Sequence, residues 1–299
     1  MDARARRVVG VASAGLTGVA TAVILATLGF ILFDAIRGGA GRLSWAFLTQ
    51  APTEGMTAGG IFPAVYGTAV LTLLMTLAVM PVGVMTAVYL QEYAPPHSRT
   101  AAWVRAAVAN LAGVPSIVFG LFGLGFFIHF VGGGVDRALG GGLRYGQPGL
   151  LWASLTLAVL TLPVVIVSTE EALRAVPRDH RTASLALGAT RSQTLFRVVL
   201  PGALPGILTG AVLAVSRGAG EVAPILLTGA AYYLPELPTS ASSQFMHLGY
   251  HVYVLATQSP DIEASKPTLY ATVCVLLGLT FTLNLLAVLI RARTRRRAA

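Results

Sequence analysis

Charge is almost absent from six long stretches of this chain and crowded into the segments between them. Val8 to Phe33 carries no charged residue. At about 1.5 Å of rise per residue such a run crosses about 30 Å of hydrocarbon, which predicts a first transmembrane helix. It is longer than the apolar core of about 7–15 residues in a cleavable leader, so the expectation is a span that stays in the protein. Residues 61–90 predict a second span, kinked at Pro81, with neighbouring helices satisfying the carbonyl that proline frees. The third is expected at roughly 106–130, where Gly113, Gly120, Gly123 and Gly125 permit close helix contact. A fourth follows at about 149–168, a fifth apolar region runs from Val198 to about Pro235, and a sixth covers about Thr268 to Ile290. Between them lie segments 34–60, 131–148 and 236–267 on one side, and 91–105 and 169–197 on the other. In 236–267 the aromatics Phe245, Tyr250 and Tyr253 predict a helix lying at the membrane interface. The expected fold is all-α, a polytopic membrane protein of about six transmembrane helices. It divides into residues 1–60 (tail, first helix and outer loop), a transmembrane domain at 61–290 and a basic tail at 291–299.

Composition agrees. Hydrophobic residues make up 55% of the chain and charged residues 11%, with a mean hydropathy of +0.73. A soluble domain carries about 25% charged residues, so a soluble fold is excluded. The net charge of +9 is unevenly placed: 15 of the 21 lysines and arginines fall in residues 1–7, 91–105, 169–197 and 291–297. The positive-inside rule then puts both termini and the 169–197 loop in the cytoplasm. Orientation and anionic membrane lipid account for the basic tail, and no nucleic-acid partner is expected. The single cysteine, Cys274, lies in an apolar run and behaves as a small hydrophobe.

Two charged residues, Arg217 and Glu221, interrupt the fifth apolar region. Four positions apart, they share one helix face about 6 Å apart along the axis. Facing lipid, each would cost several kcal/mol, so they must face the bundle interior or a wet cavity. One reading is a buried pair that neutralises itself. The other is a pair on an anion path, with the planar arginine fork suited to phosphate-type oxygens. Gly218 and Gly220 beside them thin the helix and leave room for a solute or a partner helix. Asn110 and Ser116 in the third span are weaker candidates, for interhelical hydrogen bonds or for pore lining. Glu170 and Glu171, with Arg174 one turn on, read as a solvated helix end. His247 and His251 share a helix face but have no third ligand adjacent, so packing at the interface is favoured and no metal site is expected. A P-loop needs a lysine after a glycine, followed by Ser or Thr. The only lysine is Lys266, in Ser-Lys-Pro, so an ATP-driven process would use another polypeptide's ATP site.

The polar segment 178–207, RDHRTASLALGATRSQTLFRVVLPGALPGI, reads as two short helices meeting at Gly188, where a residue without Cβ lets the chain turn sharply. Leu200-Pro201 is expected to stop the second helix and start the long apolar run. On shape alone this is either an ordinary loop or an elbow made to fit a partner. It resembles the loop shared by permease subunits of bacterial ABC importers: Glu-Ala-Ala, three residues, Gly, nine residues, Ile-x-Leu-Pro. Here the frame falls on Thr182-Ala183-Ser184, Gly188 and Val198-Val199-Leu200-Pro201. Thr182 replaces the usual glutamate, which removes any salt bridge from that position, and Ser184 replaces an alanine. The resemblance makes about 178–197 a cytoplasmic coupling helix seated on a separate ATPase. That partner uses ATP and Mg, and this chain binds no cofactor.

The segments 110–124, 169–190 and 216–229 are further similar to PstA-type permeases of phosphate importers, a likeness extending from about Gly59 to Gly229. It implies the type I ABC importer permease fold in a bacterial inner membrane, both termini cytoplasmic. The implied partners are a PstC-like second permease, a PstB-like ATPase dimer, a PstS-like phosphate-binding protein and inorganic phosphate. In that family the arginine and glutamate of the fifth-span motif, here Arg217 and Glu221, are associated with phosphate translocation. Val222 stands where threonine is common, removing one hydroxyl from the path. Import of another oxyanion or small solute is the alternative. An ion-driven secondary transporter would leave the elbow unexplained and often shows inverted repeats, none of which is evident here. A non-transporting scaffold would leave Arg217 and Glu221 unexplained.

Overall fold

The structure is a computed structural model describing residues 3–56, 58–95 and 97–298. The basic side chains of Arg4, Arg6, Arg7 and Arg295 to Arg297, which contribute to the charge asymmetry, lie outside the described residues. Among the described residues, six helices are long and apolar enough to cross a membrane. Helix α1 (Ala3–Gly39) packs along the last helix of the chain and leaves most of its surface bare. The short α2 (Trp45–Thr49) is capped by Ser44, which accepts the Phe47 N–H, and a two-residue ladder pairs Pro52–Thr53 with Ala58–Gly59. Helix α3 (Phe62–Val88) has proline in its first turn, where no amide partner is needed, and continues through a wide turn at Tyr89–Tyr93.

The third span begins later than the apolar run indicates. Pro115 disfavours helix at the residue before it, so the run divides into α4 (Arg99–Ala112) and α5 (Ser116–Phe122). Helix α4 is amphipathic and lies at the elbow end of the bundle, with Val104 and Val108 packed against the apolar cluster that includes Ala87, Leu90 and Leu173. Asn110 is on α4, not in the third span as expected, and is exposed. The span proper is α5, a ten-residue wide-turn stretch Gly123–Gly132, and α6 (Gly133–Ala138).

Helix α7 (Leu150–Ala175) is the most enclosed span and extends beyond the expected end at 168. It packs between α3 and the fifth span. The elbow follows as α8 (Arg178–Ala186) and α9 (Arg191–Thr194). Leu200-Pro201 does not stop a helix. Residues Leu195–Val199 form a wide turn, in which the Leu200 N–H reaches back five residues to Leu195 O, and the chain runs directly into α10 (Leu200–Gly220). The register change takes up the donor that Pro201 lacks.

The fifth apolar region is likewise not one helix. It breaks at Glu221-Val222 and resumes as α11 (Ala223–Thr228). Pro224 explains the break, because its ring would clash with the carbonyl of Gly220 in a continuous helix. Gly202, Gly206 and Gly210 repeat every four residues along α10 and face Val176, just past α7, and Ala172 and Ser168 of α7. A Cβ on Gly206 or Gly210 would overlap Ala172 or Ser168. The two backbones therefore touch along a small-residue stripe.

The segment expected at the membrane interface is only partly at a surface: Tyr253 is exposed and Tyr250 half-buried, whereas Phe245 is enclosed in the bundle. Residues 245–249 are all buried, and α12 (Leu248–Thr257) packs on α3 and on α13 (Ile262–Ala298), whose start precedes the expected 268. The Leu248 N–H donates to Thr68 Oγ1 of α3 at 2.9 Å. Burying a chargeless segment gains more apolar contact than laying it on a surface.

Candidate functional site

The elbow forms as its glycine requires. At the end of α8 the Gly188 N–H donates to Leu185 O at 3.0 Å and the Ala189 N–H to Ser184 O at 3.2 Å, and Gly188 sits at φ +86°. This is the left-handed helix stop that favours glycine. Helix α9 then starts with a reciprocal cap: Gln193 N–H to Thr190 Oγ1 at 3.2 Å and Thr190 N–H to Gln193 Oε1 at 2.9 Å. Ser184, in place of the usual alanine, shares a hydrogen bond with Thr194 across the elbow at 2.9 Å. Thr182 and Ala183 are exposed. Leu187, 89% exposed, is the most exposed large side chain of the knuckle, with Phe196 at 65%. Leu200 is half-buried and Pro201 exposed at the root of α10.

Behind the elbow stands a cluster of arginines whose long-range partners no spacing in the sequence indicates. Arg105 of α4 donates to Leu90 O at 2.8 Å and to Glu170 Oε1 at 2.9 Å. Arg174 of α7 donates to Gln91 Oε1 at 3.0 Å, and Arg181 of α8 to Glu92 Oε1 at 2.9 Å. Arg181 also donates to Val176 O at 2.6 Å and to Leu173 O at 2.7 Å, carbonyls at the end of α7 and just past it. Glu170 is thus buried and paired, which corrects the expectation of a solvated pair, whereas Glu171 is exposed. A cleft of about 600 Å³ opens beside the cluster, lined by Gln91, Glu92, Arg174, Arg178, Arg181 and Thr182.

The expected membrane charges do come together, with altered geometry. Arg217 Nε lies 3.5 Å from Glu221 Oε1. Glu221 is extended (φ −75°, ψ 134°), one residue past the end of α10, so the pair closes over a helix end and not along a continuous face. The Arg217 side chain is 42% exposed in the chain alone and Glu221 19%, so the guanidinium retains free donors toward the open side. On the other side, Gly218 lies against Met75 of α3, where a Cβ would overlap the sulfur. Gly220 meets nothing within 4 Å. Ser216 donates to Asn284 Oδ1 of α13 at 2.5 Å, fixing the turn that carries Arg217. Val222 packs on the first turn of α12, its Cγ2 2.9 Å from where a Gly249 Cβ would be. Ser116 opens α5 and is half-buried, apart from Asn110 across the Gly113–Pro115 break.

His247 Nδ1 accepts the Gly249 N–H at 3.1 Å, while its Nε2 and both nitrogens of His251 are buried without partners among the described residues. Burial pushes the His247 imidazole down to about 3 and His251 to about 4, so both are neutral. Among the described residues no group of three metal-ligating side chains gathers.

The chain is similar to known proteins. The model of the family described as binding-protein-dependent transport system inner membrane component matches residues 79–296. The probable ABC transporter permease protein YqgI of Bacillus subtilis is 33% identical over 87% of this chain and 88% of its own length. The phosphate transport system permease protein PstA of Mycobacterium leprae is 41% identical over 57% of this chain, and the match spans 51% of that relative. The probable PstA of Methanocaldococcus jannaschii is 34% identical over 71% of this chain and 69% of its own. Among solved structures, a bacterial alginate ABC transporter superposes with a TM-score of 0.65 at 18% identity, covering 94% of this chain and 93% of that one. The inward-facing MetNI methionine ABC transporter gives 0.59 at 20% identity, over 77% and 94%. These two show the fold alone. With the family model matching most of the length and a relative aligned almost end to end, the chain belongs to the binding-protein-dependent transport system inner membrane components, the permease subunits of ABC importers.

Proposed function

We propose that this permease imports inorganic phosphate. The observation that carries the reading is the Arg217–Glu221 pair at the break in the fifth span, 3.5 Å apart, with the arginine fork open on one side. An anion arriving there meets planar donors suited to tetrahedral oxyanions, and Glu221 holds the guanidinium when no anion is present. The PstA names of several relatives support phosphate over other solutes.

In this reading the elbow end faces the cytoplasm and both termini are cytoplasmic, as the excess of basic residues on that side favours. The exposed Leu187 and Phe196 seat on a PstB-like ATPase dimer, which binds and hydrolyses ATP with Mg. This chain's single lysine, in Ser-Lys-Pro, supplies no P-loop. A PstC-like second permease completes the path across the open face of Arg217, and a PstS-like receptor delivers phosphate at the far end. Ser116 and the exposed Asn110 are weaker candidates for the path, the latter at its cytoplasmic mouth.

The test is ATP-dependent uptake of labelled phosphate by the complex reconstituted in liposomes, with sulfate as the competing oxyanion. Arg217→Ala is expected to abolish uptake while the complex still assembles. Uptake at normal rates by Arg217→Ala would reject the pathway role, and equal uptake of sulfate by the unaltered complex would reject phosphate selectivity.

A further inference from the structure

Three consecutive residues at the end of the second span, Leu90, Gln91 and Glu92, each capture an arginine from a different helix. Leu90 O takes Arg105 of α4, Gln91 takes Arg174 of α7, and Glu92 takes Arg181 of α8. The wide turn at Tyr89–Tyr93 fans these three groups outward by lengthening the last turn of the helix. Arg181 is the pivotal member. It is 19% exposed, as is Glu92, and it binds α3 through Glu92 and α7 through two terminal carbonyls while belonging to the elbow. Beneath the polar knot lies a continuous apolar layer of Ala87, Leu90, Ala101, Leu173, Val176 and Leu195. Helices α3, α4 and α7 are therefore joined twice, by charge-assisted hydrogen bonds and by packing, and α8, which has no buried residue, joins them through Arg181.

The same helices have a matched weak level. Pro81 lies inside α3 and Pro163 inside α7, each removing one backbone donor from its helix. Just on the elbow side of both, a Cβ on Gly83 would come within 2.6 Å of Val165 Cγ1, so the two helices are in close contact where each lacks a backbone hydrogen bond.

We propose that Arg181 is a positioning residue for energy coupling: through Glu92 and the end of α7 it makes α8, α4 and the elbow-side halves of α3 and α7 one rigid lever, which turns about the Pro81–Pro163 level. A push on the elbow then reaches the spans and is not absorbed in the 176–178 connection. The uptake arm of the following test rests on the phosphate-import reading; the distance arm does not.

The complex with its ATPase and second permease is prepared with Cys274→Ala and spin labels at the exposed Trp103 of α4 and Ala183 of α8. The label distance is expected to change by no more than about 2 Å between nucleotide-free and ATP-bound states, and to broaden in Arg181→Ala. A shift of about 5 Å or more in the unaltered complex would overturn the lever. In liposomes, Arg181→Ala and Glu92→Gln should each lower phosphate uptake per ATP hydrolysed on the order of tenfold while ATP hydrolysis persists. Arg181→Lys, which keeps a cation toward Glu92 and donors for the α7 carbonyls, should retain most of the ratio. Arg181→Ala and Glu92→Gln with a normal ratio, or Arg181→Lys no better than Arg181→Ala, would overturn the role. Should Arg181→Ala fail to assemble, Glu92→Gln, which keeps a hydrogen-bond acceptor at the site, decides. If the unaltered complex takes up no phosphate yet the labelled distance holds, the substrate reading fails and the lever stands.

Discussion

Gly188 offers a clean measure of how much the elbow's shape contributes to coupling. Its φ is +86°, and a Cβ built on it meets nothing within 4 Å. A substitution there changes the backbone preference and introduces no clash. For an ordinary L residue the left-handed conformation costs roughly 1–2 kcal/mol, while asparagine tolerates it better. The turn rests on three backbone hydrogen bonds of 3.0–3.2 Å, from Leu187 to Ala183, Gly188 to Leu185 and Ala189 to Ser184. The flanking helices are short, nine residues in α8 and four in α9, and present almost no buried surface that would hold the turn against that cost. Gly188→Ala should therefore lower the population of the docking-ready turn by about 5–30-fold, and weaken ATPase binding by the same factor. Gly188→Asn should weaken it by less than about threefold, and Gly188→Val, with its branched side chain, more than alanine does. The assay is titration of the ATPase subunit onto the permease in lipid nanodiscs, followed by uptake. An alanine variant that binds the ATPase within about twofold of the unaltered chain would refute the reasoning. Gly188→Asp, which places a carboxylate on the knuckle, is expected to uncouple ATP hydrolysis from uptake while the permease remains in the membrane.

Gly206→Ala should destabilise the bundle by overlap with Ala172, and Ala172→Gly should rescue it. The double-mutant coupling is expected at about 1–3 kcal/mol, read from detergent melting curves, and a coupling below about 0.5 would contradict the packing. Ser184→Ala restores the family residue but removes the bond to Thr194, for a loss of about 0.5–1.5 kcal/mol measurable by hydrogen exchange in α8 and α9. The histidines give a pH dependence with a definite sign. Both are neutral when folded, with values of about 3 and 4 against an ordinary 6.5, so below pH 6.5 the unfolded chain binds more protons than the folded one. Stability is then full above pH 6.5 and falls as pH drops, by up to about 1.4 kcal/mol per pH unit per histidine. Melting temperatures between pH 7 and 5 should show this slope, and His251→Leu should flatten it; an unchanged slope would count against buried neutral imidazoles.

The spans were legible because hydrocarbon demands long uncharged runs, and the elbow because one glycine must turn left-handed between two polar helices. The misreadings have local causes. The apolar run from 106 onward hid the division at Pro115, although Gly-Val-Pro is a plain stop. The break beside Glu221 had its signal in Pro224, whose ring excludes a helical Gly220 carbonyl. Of the aromatics expected at the interface, Tyr253 is exposed and Phe245 fully buried, and the absence of any charge from Phe245 to Thr257 is the clue to that burial. The glycine repeat of α10 was readable at its four-residue spacing, but its partner stripe on α7 depends on which helices meet. The arginine knot was not readable. Its ion pairs join residues 65 and 89 positions apart, a distance that only the assembled bundle closes.

Helix α1 stands in the opposite situation to α7. Leu16 is 72% exposed and Phe30 71%, whereas Leu157 and Val165 of α7 are at 0%. A residue that touches only fluid acyl chains is selected for greasiness, and one wedged between two backbones is selected for shape. Exchanges such as leucine for isoleucine or phenylalanine for methionine should therefore drift freely along the outer helix and be purged from the inner one, so that natural variants of this subunit record, position by position, which neighbour is a liquid and which a solid.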